Sequence, residues 1–466
     1  MTTDHPPRSA YRVAVIGAGP SGFFLAERLL RGEPPISVDL FERLPTPYGL
    51  VRYGVAPDHE KIKNVTRSFD KTAARPGFRF FGNVHVGTHI RLAELKRHYH
   101  AVCFATGAAT DRHLNIPGED LAGSHSATEF VAWYNGHPDY HTHAFDLSPE
   151  RVAVIGVGNV AVDVARILCR LPEELAVTDL TDHALAALTA SAVKEVILIG
   201  RRGPAQAAFT NPELKELGEL IGADVAVRKE EIRLDPLSAA ALAASDDSTI
   251  RKRMEILTDF ANRTPSAKPR RLTIRFLLSP VELLGDDAGR VKAIRLQRNR
   301  LVAGKRDRLV AEPIDEFETI PVGLVFRSVG YHGVALPDLP FDDVRGVIPN
   351  DVGRVLEVPG GPRVQGIYVT GWIKRGPTGV IGTNKPDAGE TADSIVDDLS
   401  RETALSPTAH DPESIVNLLR ERQPELVTWA DWLKLDAVET AHGTSKGRPR
   451  TKIPTVHEML GVIRGP

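Results

Sequence analysis

Short apolar runs that end in glycine punctuate this chain. RVAVIGAG from Arg12, AVCFATGA from Ala101, RVAVIGVG from Arg151, EVILIGRRG from Glu195 and GIYVTGW from Gly366 share that form. They are brief, rich in β-branched residues and apolar on both faces, which is how buried parallel strands read. Between them, SGFFLAERLL from Ser21 and VAVDVARILCRL from Val160 set apolar residues at helical spacing. Strand–helix alternation predicts a doubly wound α/β fold. The strand–glycine–helix unit occurs near residue 12 and again near residue 151, which predicts two nucleotide-binding domains. DHALAALTAS, from Asp182 to Ser191, reads as an extra helix between strands, and residues 234–271 as a helical excursion. Beyond Thr403 helical patterns alternate with proline. This tail carries Trp429, Trp432 and the basic run SKGRPRTK at 445–452, and is expected to form a packed cap.

Length and composition narrow the classes. A chain of 466 residues has room for two to four domains. Hydrophobic residues at 42% and charged residues at 25% exclude disorder of the whole. Fifty-eight Lys plus Arg against 60 Asp plus Glu leave a net charge of −2, so no global field points to nucleic acid or a membrane surface. Aromatics at 6% argue against long base-stacking surfaces. Cys103 and Cys169 are the only cysteines, so no disulfide framework, iron–sulfur cluster, cysteine-rich metal site or CxxC redox pair can be built. No metal site is expected. No apolar run approaches a membrane span, and the N-terminus lacks the basic-then-apolar form of a leader. The expected compartment is reducing and aqueous, the cytoplasm.

The chemistry begins at GAGPSG. Gly17, Gly19 and Gly22, with Ala18, Pro20 and Ser21 among them, follow a strand and open a helix. The first glycine permits the turn, the second lets backbone approach a pyrophosphate, and the third lets helix pack on strand. The helix N-terminus favours the anion. The next strand, ISVDLFE, ends in Glu42, twenty residues past Gly22 (42 − 22). A carboxylate there accepts from a ribose 2′-hydroxyl and repels a 2′-phosphate, so the ligand is FAD or NAD rather than NADP. The second fingerprint is GVGNVA, with Gly156, Gly158 and Ala161 around Asn159 and Val160. Its following strand ends in Arg201 and Arg202, at about twice the usual distance because of the inserted helix near His183. Two guanidiniums suit a 2′-phosphate, so this site reads as NADP. One site of each kind implies a flavoprotein: hydride passes from nicotinamide to flavin, and electrons then leave singly.

Several further motifs resemble the adrenodoxin-reductase-type ferredoxin–NADP⁺ reductases, including their actinobacterial NADPH–ferredoxin reductase branch. They are VIGAGPSGFF (15–24), PTPYGLVRYGVAPDHEKIKNV (45–65), FRFFGNVHVG (78–87), LNIPGEDLAG (114–123), GVGNVAVDVARIL (156–168), GRRGPAQAAFTNPEL (200–214), RSVGY (327–331) and GWIKRGPTGVIGTNK (371–385). They run in family order over nearly the whole chain. Tyr48 stands where actinobacterial relatives often carry Trp, Val157 stands at a variable loop position, and residues 231–270 match poorly.

The resemblance implies two Rossmann-like, glutathione-reductase-like domains. The FAD domain is discontinuous, 1–111 and 326–466, with an NADP domain inserted at 112–325. It implies FAD contacts at the first fingerprint, Glu42, Arg43, Gly49, Leu50, Val86 on the FGNVHVG strand, Ala105, Thr106, Gly107, Gly371, Trp372, Gly379, Val380 and Ile381. Pro377 and Gly379 are expected to open a helix whose N-terminus faces the flavin, where charge develops on reduction. The second fingerprint, Arg201 and Arg202 would hold NADP. His59 and Glu213 correspond to an active-site histidine and an acidic partner near the nicotinamide, and Asp163 to a supporting position.

The implied activity is NADPH:ferredoxin oxidoreduction with a small acidic iron–sulfur ferredoxin as acceptor and a monomeric enzyme. The alternatives are a flavin-dependent NADPH oxidase or monooxygenase, a diaphorase with another acceptor, or a non-catalytic flavin-binding scaffold. A local basic patch would steer an acidic partner. The candidates are Arg251–Arg253 with Lys268, Arg270 and Arg271, then Arg52, Lys61 and Lys63, and thirdly Lys374 with Arg375.

Overall fold

The five glycine-terminated strands form in a computed structural model, which describes residues 11–244, 246–305 and 308–465. The stretch read as lacking a leader falls in residues 1–10, outside the described ones. A seven-stranded sheet holds, in spatial order, Asn350–Asp351, Arg354–Leu356, Arg363–Val369, Ala101–Phe104, Tyr11–Ile16, Ile36–Phe41 and Phe78–Phe81. Its central strands are parallel, with Val13 opposite both Ala101 and Val38. Helices Pro20–Leu30 and Asn384–Ser400 lie together on one face. That core is aromatic: Phe23 stacks on Phe69 with ring centroids 4.8 Å apart, and Trp432 is buried beside Tyr48.

A six-stranded parallel sheet forms from the middle of the chain, in the order Ser124–Ser126, Leu324–Arg327, Arg151–Ile155, Glu195–Ile199, Arg270–Arg275 and Ala223–Val227. Helix Asn159–Cys169 packs against it, and the helix expected near His183 spans Asp182–Thr189. Residues 231–270 carry the helices Pro236–Ala244 and Ser248–Asn262, as their pattern predicted.

The chain passes between the two sheets twice. At the passage Thr110–Asp111 pairs antiparallel with Tyr331–His332. The expected boundary at 325 falls inside Leu324–Arg327, which is hydrogen-bonded into the six-stranded sheet, so the return passage lies a few residues later. A three-stranded antiparallel sheet was not foreseen: Leu278–Gly285, Val291–Ala303 and Leu309–Pro321. One face covers the six-stranded sheet through Leu283, Val291, Ile294 and Leu296 packed on Ile197 and Ile199.

The tail helices Glu413–Arg422, Trp429–Ser445 and Val456–Arg464 cap the seven-stranded sheet, and the basic run between the last two reaches the other half of the molecule. Lys452 is buried against Asp179 (3.1 Å), which also takes Lys63 (2.6 Å). Burial alone would raise the Asp179 carboxyl, but the two ammonium groups hold it down at about 2. Arg448 and Lys446 pair with Asp182. No helix among the described residues is long and apolar enough to cross a membrane.

Candidate functional site

At the first fingerprint the backbone turns at Gly17 (φ +110°), where a Cβ would sit 2.6 Å from the Ala105 carbonyl oxygen. Only glycine accommodates both the left-handed turn and that approach. At Gly22 a Cβ would lie 2.1 Å from the Gly17 carbonyl oxygen, so helix and loop touch directly. Gly19 and Gly107 are different: a Cβ at either would meet nothing within 4 Å, and both border a cavity of about 470 Å³. The other expected residues on its wall are Gly17, Pro20, Ser21, Glu42, Arg43, Gly49, Leu50, Val86, Ala105, Thr106, Trp372 and Ile381.

Glu42 follows the second strand and accepts the backbone N–H of Ala18 (2.9 Å) and of Leu44 (3.1 Å). Burial outweighs those donors and raises its pKa. The open glycines, the helix N-terminus at Pro20 and an acid at the far end match the donor set of an adenine dinucleotide without a 2′-phosphate. Arg43 pairs with Asp139 (2.7 Å) across the mouth of the cavity.

Two expectations of local structure need correction here. Val86 is not on a strand: Phe78–Phe81 ends earlier, and Val86 makes only an isolated bridge to Ile90. Pro377 and Gly379 do not open a helix. Gly379 has φ +82°, Thr383 Oγ1 accepts the Val380 N–H, and a 3₁₀ turn at Ile381–Thr383 leads into the helix from Asn384. Gly379 and Val380 are exposed and are not on the cavity wall. Ala18, Gly22 and Gly371 also stand behind that wall. Gly371 donates its N–H to Asp387 (2.6 Å) and touches Ser21, where a Cβ would be 2.2 Å from Oγ.

The second fingerprint repeats the backbone design. Gly156 turns at φ +127°, with a Cβ position 2.1 Å from the Ser328 carbonyl oxygen, while Gly158 faces open space. Ala161 is fully buried, and Val160 lies partly exposed beside it. Asn159 Oδ1 accepts the Thr210 N–H (2.9 Å), tying the glycine loop to the segment after Arg202. Arg201 and Arg202 follow the strand Glu195–Ile199 and are exposed. Neither side chain forms an ion pair or hydrogen bond among the described residues. Arg202 titrates below an ordinary arginine because of burial, then Arg201 and Arg308 beside it. Two un-neutralised guanidiniums at this position suit a phosphate.

His59, Glu213 and Asp163 converge where the two halves meet, in a larger cluster than expected. His59 Nε2 lies 2.7 Å from Glu216 and 3.7 Å from Glu213, so Glu216 is its hydrogen-bond partner. Asp163 Oδ1 stands 3.9 Å from His59 Nδ1. At the centre is Arg166, wholly buried, with contacts to Asp58 (2.7 Å), Asp163 (2.8 Å), Glu213 (3.3 Å) and Glu216 (3.6 Å). Arg170 also pairs with Asp58 (2.7 Å). Burial would lower His59, but the Glu216 hydrogen bond wins and its pKa rises. Burial, reinforced by Asp163, lifts Glu213 to about 7 against His59 and Arg166. Burial raises Asp163 as well. His59, Glu213 and Glu216 have ligand atoms within 4.8 Å of one another, but the Arg166 guanidinium already supplies the cation there. Sequence reading missed Asp58, Arg166, Arg170 and Glu216. The available signal was Asp163 and Arg166 at i,i+3 within an otherwise apolar helix.

The docking candidates mostly fail. Arg52 is buried on Glu439 (2.6 Å), and Lys63 on Asp179. Lys374 is buried on Asp387 (3.2 Å) and Glu390 (2.5 Å), and Arg375 bonds Asn384 and the Thr378 carbonyl. Arg253 donates to the Ala205 and Phe209 carbonyls, Arg270 to those of Val193 and Arg170, and Lys268 to that of Leu220. Lys61, Arg251, Lys252 and Arg271 remain exposed.

Fold and site together define an oxidoreductase with two dinucleotide cradles. A family described as "Pyridine nucleotide-disulphide oxidoreductase" matches residues 11–198. NADPH-ferredoxin reductase FprA of Mycobacterium leprae is 47% identical over 465 residues, spanning 98% of this chain and all of that one. The mitochondrial NADPH:adrenodoxin oxidoreductase of Salvelinus fontinalis is 40% identical over 470 residues, 98% of this chain and 92% of that protein. The solved structure of Mycobacterium tuberculosis FprA in complex with NADPH superposes with a TM-score of 0.91 at 47% identity, covering 98% of this chain and all of the other. The chain belongs to the NADPH–ferredoxin reductase family that includes these proteins.

Proposed function

We propose that this protein is an FAD-dependent NADPH:ferredoxin oxidoreductase that acts as a monomer in the cytoplasm. The carrying observation is one chain with two glycine cradles of opposite terminal charge, Glu42 at one and Arg201 with Arg202 at the other. Full-length relatives named NADPH-ferredoxin reductase support the same reading. FAD, which the first glycine cradle and Glu42 would hold, would supply the hydride acceptance and one-electron release that no side chain of this protein offers.

The chain's own residues bind, orient and hold protons. Glu42 selects a ribose bearing a free 2′-hydroxyl, while Arg201 and Arg202 select one bearing a phosphate. Gly19, Gly107 and Gly158 keep backbone open to the diphosphates. His59 shares a proton with Glu216 through Nε2, and Glu213 stands 3.7 Å from the same nitrogen, between the two halves of the molecule. Both cysteines are buried free thiols, so no dithiol competes for electrons, and a separate acceptor must dock.

The test is NADPH-driven cytochrome c reduction with and without a small acidic iron–sulfur ferredoxin. A large ferredoxin-dependent increase is expected. Slow turnover that no ferredoxin accelerates would overturn the acceptor assignment and leave an NADPH diaphorase.

A further inference from the structure

The long hairpin Val291–Ala303 and Leu309–Pro321 holds the arginine pair from behind. Asn299, buried on its first strand, donates Nδ2 to the Arg201 carbonyl (2.9 Å) and to Ser279 Oγ (2.9 Å). The Leu277 N–H, just ahead of the same sheet, donates to the Arg202 carbonyl (3.2 Å). A Cβ on Gly203 would lie 3.3 Å from Leu301 Cδ1, so the loop after the arginines also rests on the hairpin. Both carbonyls are thereby directed into the sheet, and the two guanidiniums into solvent.

The two strands of the hairpin come together again beyond this contact. Ala303 pairs with Leu309, and the Gly304 N–H donates to the Arg308 carbonyl (2.8 Å). Arg308 sits at that turn, exposed and near enough to Arg202 to depress its protonation. Its side chain, like those of Arg201 and Arg202, forms no ion pair or hydrogen bond among the described residues. Among the described residues no acid stands between these three cations, and a bound polyanion would relieve their mutual repulsion.

We propose that Arg308, delivered by the hairpin turn, is a third contact for the 2′-phosphate of NADP(H) and thereby a specificity-determining residue. The proposal rests on the reading of Arg201 and Arg202 given above. It adds a residue from a segment over 100 positions downstream, in a stretch of sheet outside the nucleotide-binding fingerprint. Asn299 is a positioning residue, since it touches the Arg201 backbone and not the ligand.

The experiment compares wild type, Arg308→Ala, Arg308→Lys and the Arg201→Ala/Arg202→Ala double variant as flavin-loaded protein. Calorimetric titration with 2′,5′-ADP reads binding without catalysis. Ferricyanide reduction gives KM and kcat with NADPH and with NADH. An exposed charge contact is worth up to about 1 kcal/mol, so Arg308→Ala should weaken 2′,5′-ADP and raise KM for NADPH about fivefold. NADH kinetics should stay unchanged, the thermal midpoint without nucleotide should not fall, and Arg308→Lys should recover most of the loss. Unchanged 2′,5′-ADP affinity in Arg308→Ala overturns the proposal, as does an equal loss with NADPH and NADH. If the double variant keeps its preference for NADPH, the 2′-phosphate site itself is misassigned. If only the double variant loses it, Arg308 alone is excluded.

Discussion

Two cradles built to one backbone plan differ where the ligands differ. Gly17 and Gly156 make the same turn, and Gly19 and Gly158 leave the same open space. At the third position the first cradle has Gly22, touching the loop, and the second has Ala161, whose methyl is fully buried. The strand beyond ends in a carboxylate in one and in two guanidiniums in the other. The carboxylate is wired into its own loop by the Ala18 and Leu44 amides, whereas the guanidiniums are left without partners among the described residues. On the proposed reading the backbone provides for a dinucleotide, and one or two side chains at the strand end choose which.

The most severe break in this symmetry is Gly22→Val. A branched side chain cannot fit where a single Cβ would already lie 2.1 Å from a carbonyl oxygen, so protein lacking flavin absorbance, or insoluble protein, is expected. Flavin retained at full stoichiometry would mean that helix and loop can separate. Next comes Arg201→Ala/Arg202→Ala, which should cut the NADPH-over-NADH ratio of kcat/KM by about tenfold to a hundredfold, one to two charge-assisted contacts' worth. Survival of the wild-type ratio would dissolve the charge contrast between the cradles.

A smaller effect is expected at their meeting point. Glu213 takes its proton in the folded protein at about 7, above the ordinary glutamate value of 4.5. The folded state thus holds the proton more tightly than the unfolded one, and this residue's contribution to stability declines as pH rises from 4.5 to 7. Thermal melts of wild type and Glu213→Gln should differ least below pH 4 and shift in favour of the glutamine variant as pH rises through 7. A difference that is constant with pH would show that the carboxyl titrates normally. The mildest change is Ala161→Gly. A glycine in a helix interior costs about 1 kcal/mol, so the melt should drop by a few degrees with NADPH preference intact.

Much of this was legible in sequence because the signals are local. The residue at the end of the strand after a glycine turn is such a signal, so Glu42 could be named from its spacing and Arg201 and Arg202 from the strand end despite the inserted helix. The Arg166 cluster could not, because Asp58 and Glu213 reach it from opposite sides in sequence and only the folded contact reveals them. The basic runs misled for the same reason: Arg52 finds Glu439, 387 residues away, and ceases to be a surface charge. The hairpin escaped notice because Leu309–Pro321 is mostly exposed or half-exposed, so no buried face imposes a two-residue rhythm.

The buried pairing of Lys452 with Asp179 has a consequence for motion. The chain crosses between the halves at residues 105–123 and 328–349, and the tail adds a third fastening. Swinging one half against the other would break the buried contacts of Asp179 with both Lys452 and Lys63. Amide hydrogen exchange along residues 446–453 as slow as in the sheet cores is the expected sign, and rapid exchange there would refute it. The spacing between the two cradles is thus held by buried charge as well as by the two crossings of the chain.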